Sequence, residues 1–288
     1  MKKIILTGSA SGFGLLAVKT LATAGHTIYA TMRNIKGSNA AAAAELKQWA
    51  ADHKVIVEIV ELDVTNQASV AAAIAEIAEK SKGQIDVLIN NAGLSFMGIS
   101  ETLTIAQSEQ IFQVNLIGPD RMIKAVLPFM HLKKSGLIIN VTSVQSRNHI
   151  PGLSTYNASK AGLDALSVGY HYELKSAGID LVTVQPGSYQ TTDIVNKSLV
   201  AGNPDAEAFY GTDMIKLKDA LFTHFIPTED SADPQEVADV IAGLVAQQQG
   251  QRPLWNIVGG GPLTDAFKDI NESTRKVVDT MVGYLIGA

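Results

Sequence analysis

A three-layer α/β/α fold, built on a doubly wound parallel sheet of about seven strands with helices on both faces, is the class this sequence predicts. Three observations carry that expectation. Short, continuous apolar runs recur between longer amphipathic segments, the pattern of strands buried on both faces and joined by helical crossovers. The first such run is followed at once by three glycines in seven residues and then by a helical pattern. Hydrophobic residues make up 46% of the 288 residues and charged residues 18%, enough apolar material for a large core and too little charge for a disordered chain.

The first strand is expected at 3–7, where Lys3-Ile4-Ile5-Leu6-Thr7 stops at Gly8. Its apolar run of three is too short for the core of a signal peptide. Further apolar runs predict strands at 27–31, 55–62, 86–90, 137–142, 180–185 and 254–257. Between them, apolar residues at helical spacing predict helices at 13–24, 40–52, 67–80, 105–132, 156–176 and 234–247, the second opening on an alanine run that favours helix. Right-handed crossovers between such strands give a Rossmann-type sheet. No linker rich in Gly, Pro or Ser divides the chain, so residues 1–288 are expected to form one domain. The alternation lapses over about 188–233, where Tyr189, Phe209, Tyr210, Leu221, Phe222 and Phe225 occur without a strand pattern. A long insertion of this kind is expected to be a substrate lid. Residues 262–288 are expected to form a C-terminal helical extension.

Composition excludes several functions. A net charge of −5 with no basic tract argues against a nucleic-acid partner. No stretch approaches the roughly 18 apolar residues of a membrane span. The chain has no cysteine, which removes disulfides, thiolate catalysis and cysteine-ligated zinc and suits a reducing compartment, so a cytoplasmic location is expected. The six histidines show no metal-ligand spacing, and no metal is expected. There is no Gly-x-Ser-x-Gly, so an α/β-hydrolase is unsupported.

The run Thr7-Gly8-Ser9-Ala10-Ser11-Gly12-Phe13-Gly14 lies between a strand and a helix, the context a dinucleotide site requires. Gly8 permits a tight turn, Gly12 lets a pyrophosphate approach the backbone, and Gly14 lets helix and strand pack closely; an ordinary βα turn is the alternative. The spacing departs from Gly-x-Gly-x-x-Gly. NAD sites commonly place an acid about 20 residues further on to hold the ribose. Here the second strand ends Ala30-Thr31-Met32-Arg33-Asn34 with no carboxylate. Arg33 would attract a 2′-phosphate, which favours NADP(H) over NAD(H), unless it is a solvated surface arginine. Tyr156 and Lys160 lie four apart in a predicted helix and so share a face. The ammonium is expected to pull the phenol's pKa down toward neutrality, the tuning that proton exchange with a carbonyl or alcohol requires.

Together with Asp63-Val64, Asn90-Asn91-Ala92-Gly93, Asn115, Ser143 and Pro186-Gly187 with Thr191, these motifs resemble the short-chain dehydrogenase/reductase family, in the family's own order over roughly residues 3–190. The run 29–33, the lid and the long C-terminal part are similar to its NADP-preferring hydroxysteroid and retinol dehydrogenase branch. The resemblance implies a catalytic set of Asn115, Ser143, Tyr156 and Lys160. Tyr156 exchanges the proton, Ser143 hydrogen-bonds the substrate oxygen, Lys160 tunes Tyr156 and holds the nicotinamide ribose, and Asn115 anchors a water of a proton relay. Cofactor contacts are implied at Gly8, Ser11, Gly12, Phe13, Gly14, Arg33, Asp63 and Val64. They are further implied at Asn90, Ala92, Gly93, Tyr156, Lys160, Pro186, Gly187 and Thr191.

The expectation is an oxidoreductase passing a hydride between nicotinamide and a ketone or secondary alcohol, with a small-molecule substrate and a homodimeric or homotetrameric assembly through the helices near 116–132 and 163–176. His149, between Ser143 and Tyr156, is a further candidate to face substrate. A catalytically silent, cofactor-sensing protein of the same fold is the alternative; a sugar-nucleotide epimerase also uses Tyr and Lys, but normally carries a larger substrate domain than this length allows.

Overall fold

The computed structural model describes residues 1–192 and 197–287. Its centre is a seven-stranded sheet in which every paired neighbour is parallel. The strands are β1 Lys3–Thr7, β2 Thr27–Met32, β3 Val57–Glu61, β4 Val87–Asn90, β5 Gly136–Val141, β6 Ile179–Pro186 and β7 Trp255–Val258. Their spatial order is β3-β2-β1-β4-β5-β6-β7, so the direction of winding reverses between β1 and β4. Open α/β sheets bind ligands beyond the strand C-termini at such a reversal.

Strand composition follows position in the sheet. All six residues of β2 are buried, as are the four of β4 and the six of β5. The edge strands β3 and β7 are only partly covered, which is why their sequences are the more polar. Neighbouring residues point to opposite faces. Ile4 and Leu6 join the apolar layer beneath α1 (Gly12–Thr23) and α8 (Gln235–Ala246), with Val18, Leu21, Val237 and Ile241. Ile5 joins the opposite layer, beneath α3 (Gln67–Ser81) and α5 (Gly118–Lys133), with Ile74, Ile77, Met122 and Val126. The other helices are α2 (Ala40–Asp52), α4 (Ile105–Phe112), α6 (Ser154–Lys175), α7 (Thr212–His224) and α9 (Thr264–Ile286).

One segment differs from expectation. The single helix expected at 105–132 is α4 and α5 joined by a π-helical turn, Gln113–Ile117. One inserted residue shifts the apolar stripe only locally, so periodicity does not reveal it; such turns recur at functional sites. The region expected as a lid, about 188–233, holds a 3₁₀ turn at Pro204–Phe209 and the helix α7; its residues 193–196 lie outside the described residues. Helix α7 docks through Leu221 against Met97 and Leu153, with Ile150 and Phe225 alongside. Among the described residues no helix is long and apolar enough to cross a membrane.

Candidate active site

The C-terminal ends of β1, β2, β4, β5 and β6 share one edge of the sheet, and the candidate residues gather there. Thr7 closes β1 and ties it to the segment after β4, its hydroxyl accepting from the backbone N–H groups of Asn91 (3.0 Å) and Ala92 (3.1 Å). Asn91 returns the tie, donating from Nδ2 to the carbonyls of Thr7 (3.0 Å) and Gly8 (3.1 Å). Gly8 has φ +71°, and a Cβ there would stand 2.8 Å from Ala92 Cα. A Cβ on Gly14 would stand 2.2 Å from Gly8 O, so helix and turn approach as closely as only hydrogen permits. Around Gly12 there is open space to 4 Å. Ser11 caps α1 with extended backbone and no side-chain capping bond, and the first turn carries no acid. The first-turn N–H groups are therefore available to an anion, and the walls of the turn are too tight for any side chain. This donor set and cradle fit a dinucleotide pyrophosphate.

Arg33 is exposed directly after β2, its carbonyl held by Asn39 Nδ2 at 2.6 Å. Asp63 turns its carboxylate onto Thr65, accepting from N (2.9 Å) and Oγ1 (2.7 Å). Val64 is buried against Gly118. Phe13 packs edge-on to Tyr189, with ring centres 5.3 Å apart. Behind the site, Asn90 Nδ2 donates to Asn140 Oδ1 (2.9 Å), and Asn140 Nδ2 donates to Ser167 Oγ (2.8 Å), which crosslinks β4, β5 and α6. Gly187 N donates to Val258 O at 2.7 Å, holding the turn after Pro186 to β7. Thr191 and His149 are exposed.

Ser143 follows β5, is buried, and accepts from Gln145 N at 3.1 Å. Tyr156 and Lys160 sit one turn apart on α6, and both are buried. Lys160 Nζ donates to Val141 O (2.9 Å) and lies 5.8 Å from the centre of the Tyr156 ring. Asn115, carried inward by the π turn, is buried. Its Oδ1 accepts from Leu94 N (2.8 Å), while Nδ2 donates to Leu94 O (2.8 Å) and to Ser159 Oγ (2.9 Å). Both side-chain donors of Asn115 are thus spent on fixing the 93–95 segment to α6. Asn115 and Lys160 converge at Gly93, where a Cβ would lie 3.7 Å from Asn115 Oδ1 and 3.8 Å from Lys160 Nζ.

One expectation is corrected. The phenol of Tyr156 is not lowered toward neutrality: burial pushes it up to about 12, and a hydrogen bond with Ser143 offsets only part of this. Burial also brings the Lys160 ammonium down to about 8. Removing both groups from water disfavours their charged forms, and burial is the largest cause of both shifts.

Sequence reasoning missed a buried polar ring beside these residues. It joins Arg147, Asp164, Gln185 and Asn271, drawn from the turn after Ser143, α6, β6 and α9. One signal was available: Asp164 stands four residues beyond Lys160 and eight beyond Tyr156, on the same helix face. The other members lie too far apart in sequence for any spacing rule.

Residues 2–200 match the short chain dehydrogenase family. An uncharacterized oxidoreductase, YusZ of Bacillus subtilis, is 34% identical over 276 residues, covering 93% of this chain and 94% of the relative. The 3-ketodihydrosphingosine reductase of Bacteroides thetaiotaomicron is 34% identical over 204 residues, 69% of each chain. Among solved structures, a short-chain dehydrogenase from Sphingobium yanoikuyae in complex with NADPH is 25% identical, with a TM-score of 0.73 over 97% of this chain and 96% of that one.

Proposed function

Because this chain belongs to the short-chain dehydrogenase family, we propose that it is an NADP(H)-dependent ketoreductase in which Tyr156 delivers the proton to the substrate oxygen. The observation that carries this reading is the buried cluster of Ser143, Tyr156 and Lys160 at the strand C-termini, near the point between β1 and β4 where the winding reverses.

The turn from Gly8 to Gly14 and the N-terminus of α1 hold the pyrophosphate. Arg33, exposed at the end of β2, takes the 2′-phosphate. Asp63 and Val64 would lie by the adenine, Ala92 and Gly93 would line the groove with Asn90 bracing it from behind, and Pro186, Gly187 and Thr191 would border the nicotinamide. When bound, the dinucleotide supplies the hydride. Hydride arrival at a carbonyl carbon leaves negative charge on its oxygen. Ser143 and Tyr156 present hydroxyls to that oxygen, and donors aimed at developing charge stabilise the transition state. A phenol pushed up to about 12 stays protonated at neutral pH, so Tyr156 carries the proton that the reduced oxygen takes up. Lys160, brought down to about 8, holds a proton close to the phenol and releases it readily enough to restore the phenol after transfer. Asn115 fixes the 93–95 segment against α6, which keeps Gly93 open beside Lys160.

The substrate is an apolar ketone of moderate size. Support comes from α7, which docks on Met97 and on Leu153, three residues before Tyr156, and from the Bacteroides relative named as a 3-ketodihydrosphingosine reductase. The test is to mix the protein with NADPH and a panel of aliphatic, long-chain and steroid ketones and follow loss of NADPH absorbance. Turnover of at least one ketone is expected. Tight NADPH binding with no oxidation across the panel would leave the silent, cofactor-sensing reading standing instead.

A further inference from the structure

We propose that Asn271 of the C-terminal helix is a positioning residue for Ser143, acting through Arg147. The inference rests on the reading that Ser143 serves the reaction.

Asn271 is 4% exposed, although most of α9 lies on the surface. It is inserted into a closed set of bonds. Its Oδ1 accepts from Arg147 Nε at 2.8 Å, and its Nδ2 donates to Gln185 Oε1 at 2.8 Å. Gln185 Nε2 donates to Asp164 Oδ1 (3.1 Å) and to Ser146 Oγ (3.2 Å). Asp164 Oδ2 accepts from Arg147 Nη2 (2.5 Å) and from Trp255 Nε1 (3.2 Å). Arg147 Nη1 donates to Ser146 O at 3.1 Å. Because Gln185 uses its amide nitrogen on Asp164 and Ser146, its oxygen must face Asn271, and the direction of each bond in the ring is determined.

The ring ends on the turn that carries Ser143. Ser146 Oγ and Ser146 N both donate to Ser143 O, at 2.7 and 3.0 Å, and Arg147 N donates to Val144 O at 2.9 Å. The same ring touches α6 at Asp164, one turn beyond Lys160, and β6 at Gln185, next to Pro186. It therefore holds together the three elements that present Ser143, Tyr156 and Pro186. A buried ion pair such as Arg147–Asp164 is seldom explained by stability, because packed apolar residues serve as well. What a fork of guanidinium donors supplies is direction. Arg147 grips the carbonyl of Ser146 with one nitrogen while Asp164 and Asn271 fix the other two. Without Asn271 the guanidinium loses one of these anchors, and the Ser143 hydroxyl loses its fixed aim.

The test compares Asn271→Leu, close in shape but without either hydrogen bond, with the unaltered full chain. Three quantities are read: hydrogen exchange of the amides at 145–148, the equilibrium constant for NADPH binding, and kcat with a ketone that the protein reduces. Exchange at 145–148 is expected to rise at least tenfold, kcat to fall roughly 10- to 100-fold, as small misplacements of reacting groups do, and NADPH affinity to stay within about threefold. Loosened amides with unchanged kcat, or no change in either, would overturn the positioning role. If Asn271→Leu does not fold, Arg147→Lys replaces it. That variant keeps the charge opposite Asp164 but cannot hold Asn271 and Ser146 together, so the same pattern is expected and an unchanged kcat is again decisive against the proposal. If the unaltered chain reduces no ketone, the ketoreductase reading fails by itself, and the exchange at 145–148 still decides whether α9 controls the Ser143 turn.

Discussion

Lys160 Nζ lies 5.8 Å from the centre of the Tyr156 ring, and both side chains are buried, which disfavours their charged forms. The pair is therefore poised with the phenol protonated and the amine near its titration point, at about 12 and about 8. Tyr170, Tyr172 and Tyr189 are also pushed up, each by burial and a neighbouring carboxylate; here a buried phenol and a buried ammonium shift side by side at the strand ends. Such departures mark groups that move protons.

Stability should register both shifts. Lys160 falls from 10.5 to about 8 on folding, so between those values the unfolded chain binds more protons than the folded one, and this group's contribution to stability rises with pH over that window. Tyr156 rises from 10.0 to about 12, so between those values the folded chain keeps a proton that the unfolded one has lost, and stability falls with pH there. Urea denaturation from pH 7 to 11 should show the unaltered chain gaining on Lys160→Met above pH 8 and losing to Tyr156→Phe above pH 10. Parallel curves would remove the assigned shifts.

Arg33→Ala should weaken NADP(H) binding about 10- to 100-fold, the worth of charge-assisted hydrogen bonds to a phosphate. NAD(H) binding should change by less than about threefold. Titration calorimetry with both cofactors measures the contrast, and equal losses would show that Arg33 does not meet the 2′-phosphate.

Gly14→Ala and Gly12→Ala should separate close packing from backbone conformation. The first places a methyl 2.2 Å from Gly8 O and 2.5 Å from Asn91 Nδ2, and should cost at least about 1–3 kcal/mol and disturb the cofactor cradle. The second meets no atom within 4 Å but holds φ at +54°, and should cost about 1–2 kcal/mol. Thermal melts with and without NADPH distinguish them; a Gly14 variant as stable as the unaltered chain would contradict the described turn.

Asn115→Ala should destabilise the chain by about 2–4 kcal/mol, since it removes the partners of Leu94 N and Leu94 O and one of the two bonds of Ser159 Oγ, which keeps its bond to Tyr156 O. Denaturant midpoints give the value, and a loss below about 0.5 kcal/mol would show that the 93–95 segment is held otherwise.

How far the sequence speaks for itself follows the range of the interaction. Strand positions were legible because burial on both faces demands unbroken apolar runs such as Leu137-Ile138-Ile139, and the parallel pairing follows from their alternation with helices. The glycine turn was legible because its left-handed backbone at Gly8 and Gly12 and the close approach of Gly14 to Gly8 O are set by residues within the turn, although Asn91 and Ala92 also close on it. The π turn at Asn115 was not, since one inserted residue leaves the apolar stripe nearly intact on either side. The direction of the Tyr156 shift was misread because spacing reveals the nearby cation but not the depth of burial. The ring from Arg147 to Asn271 spans 124 residues of sequence and exists only once α9 has docked.

Single-turnover NADPH oxidation by Tyr156→Phe, with a ketone that the unaltered chain reduces, tests the central claim most directly. The variant loses the proton donor but keeps the ring, the cradle and Lys160. It should bind NADPH within about threefold of the unaltered chain and transfer hydride about 10²–10⁴-fold more slowly. Hydride transfer at an undiminished rate with normal NADPH binding would show that another group supplies the proton, and would contradict the account.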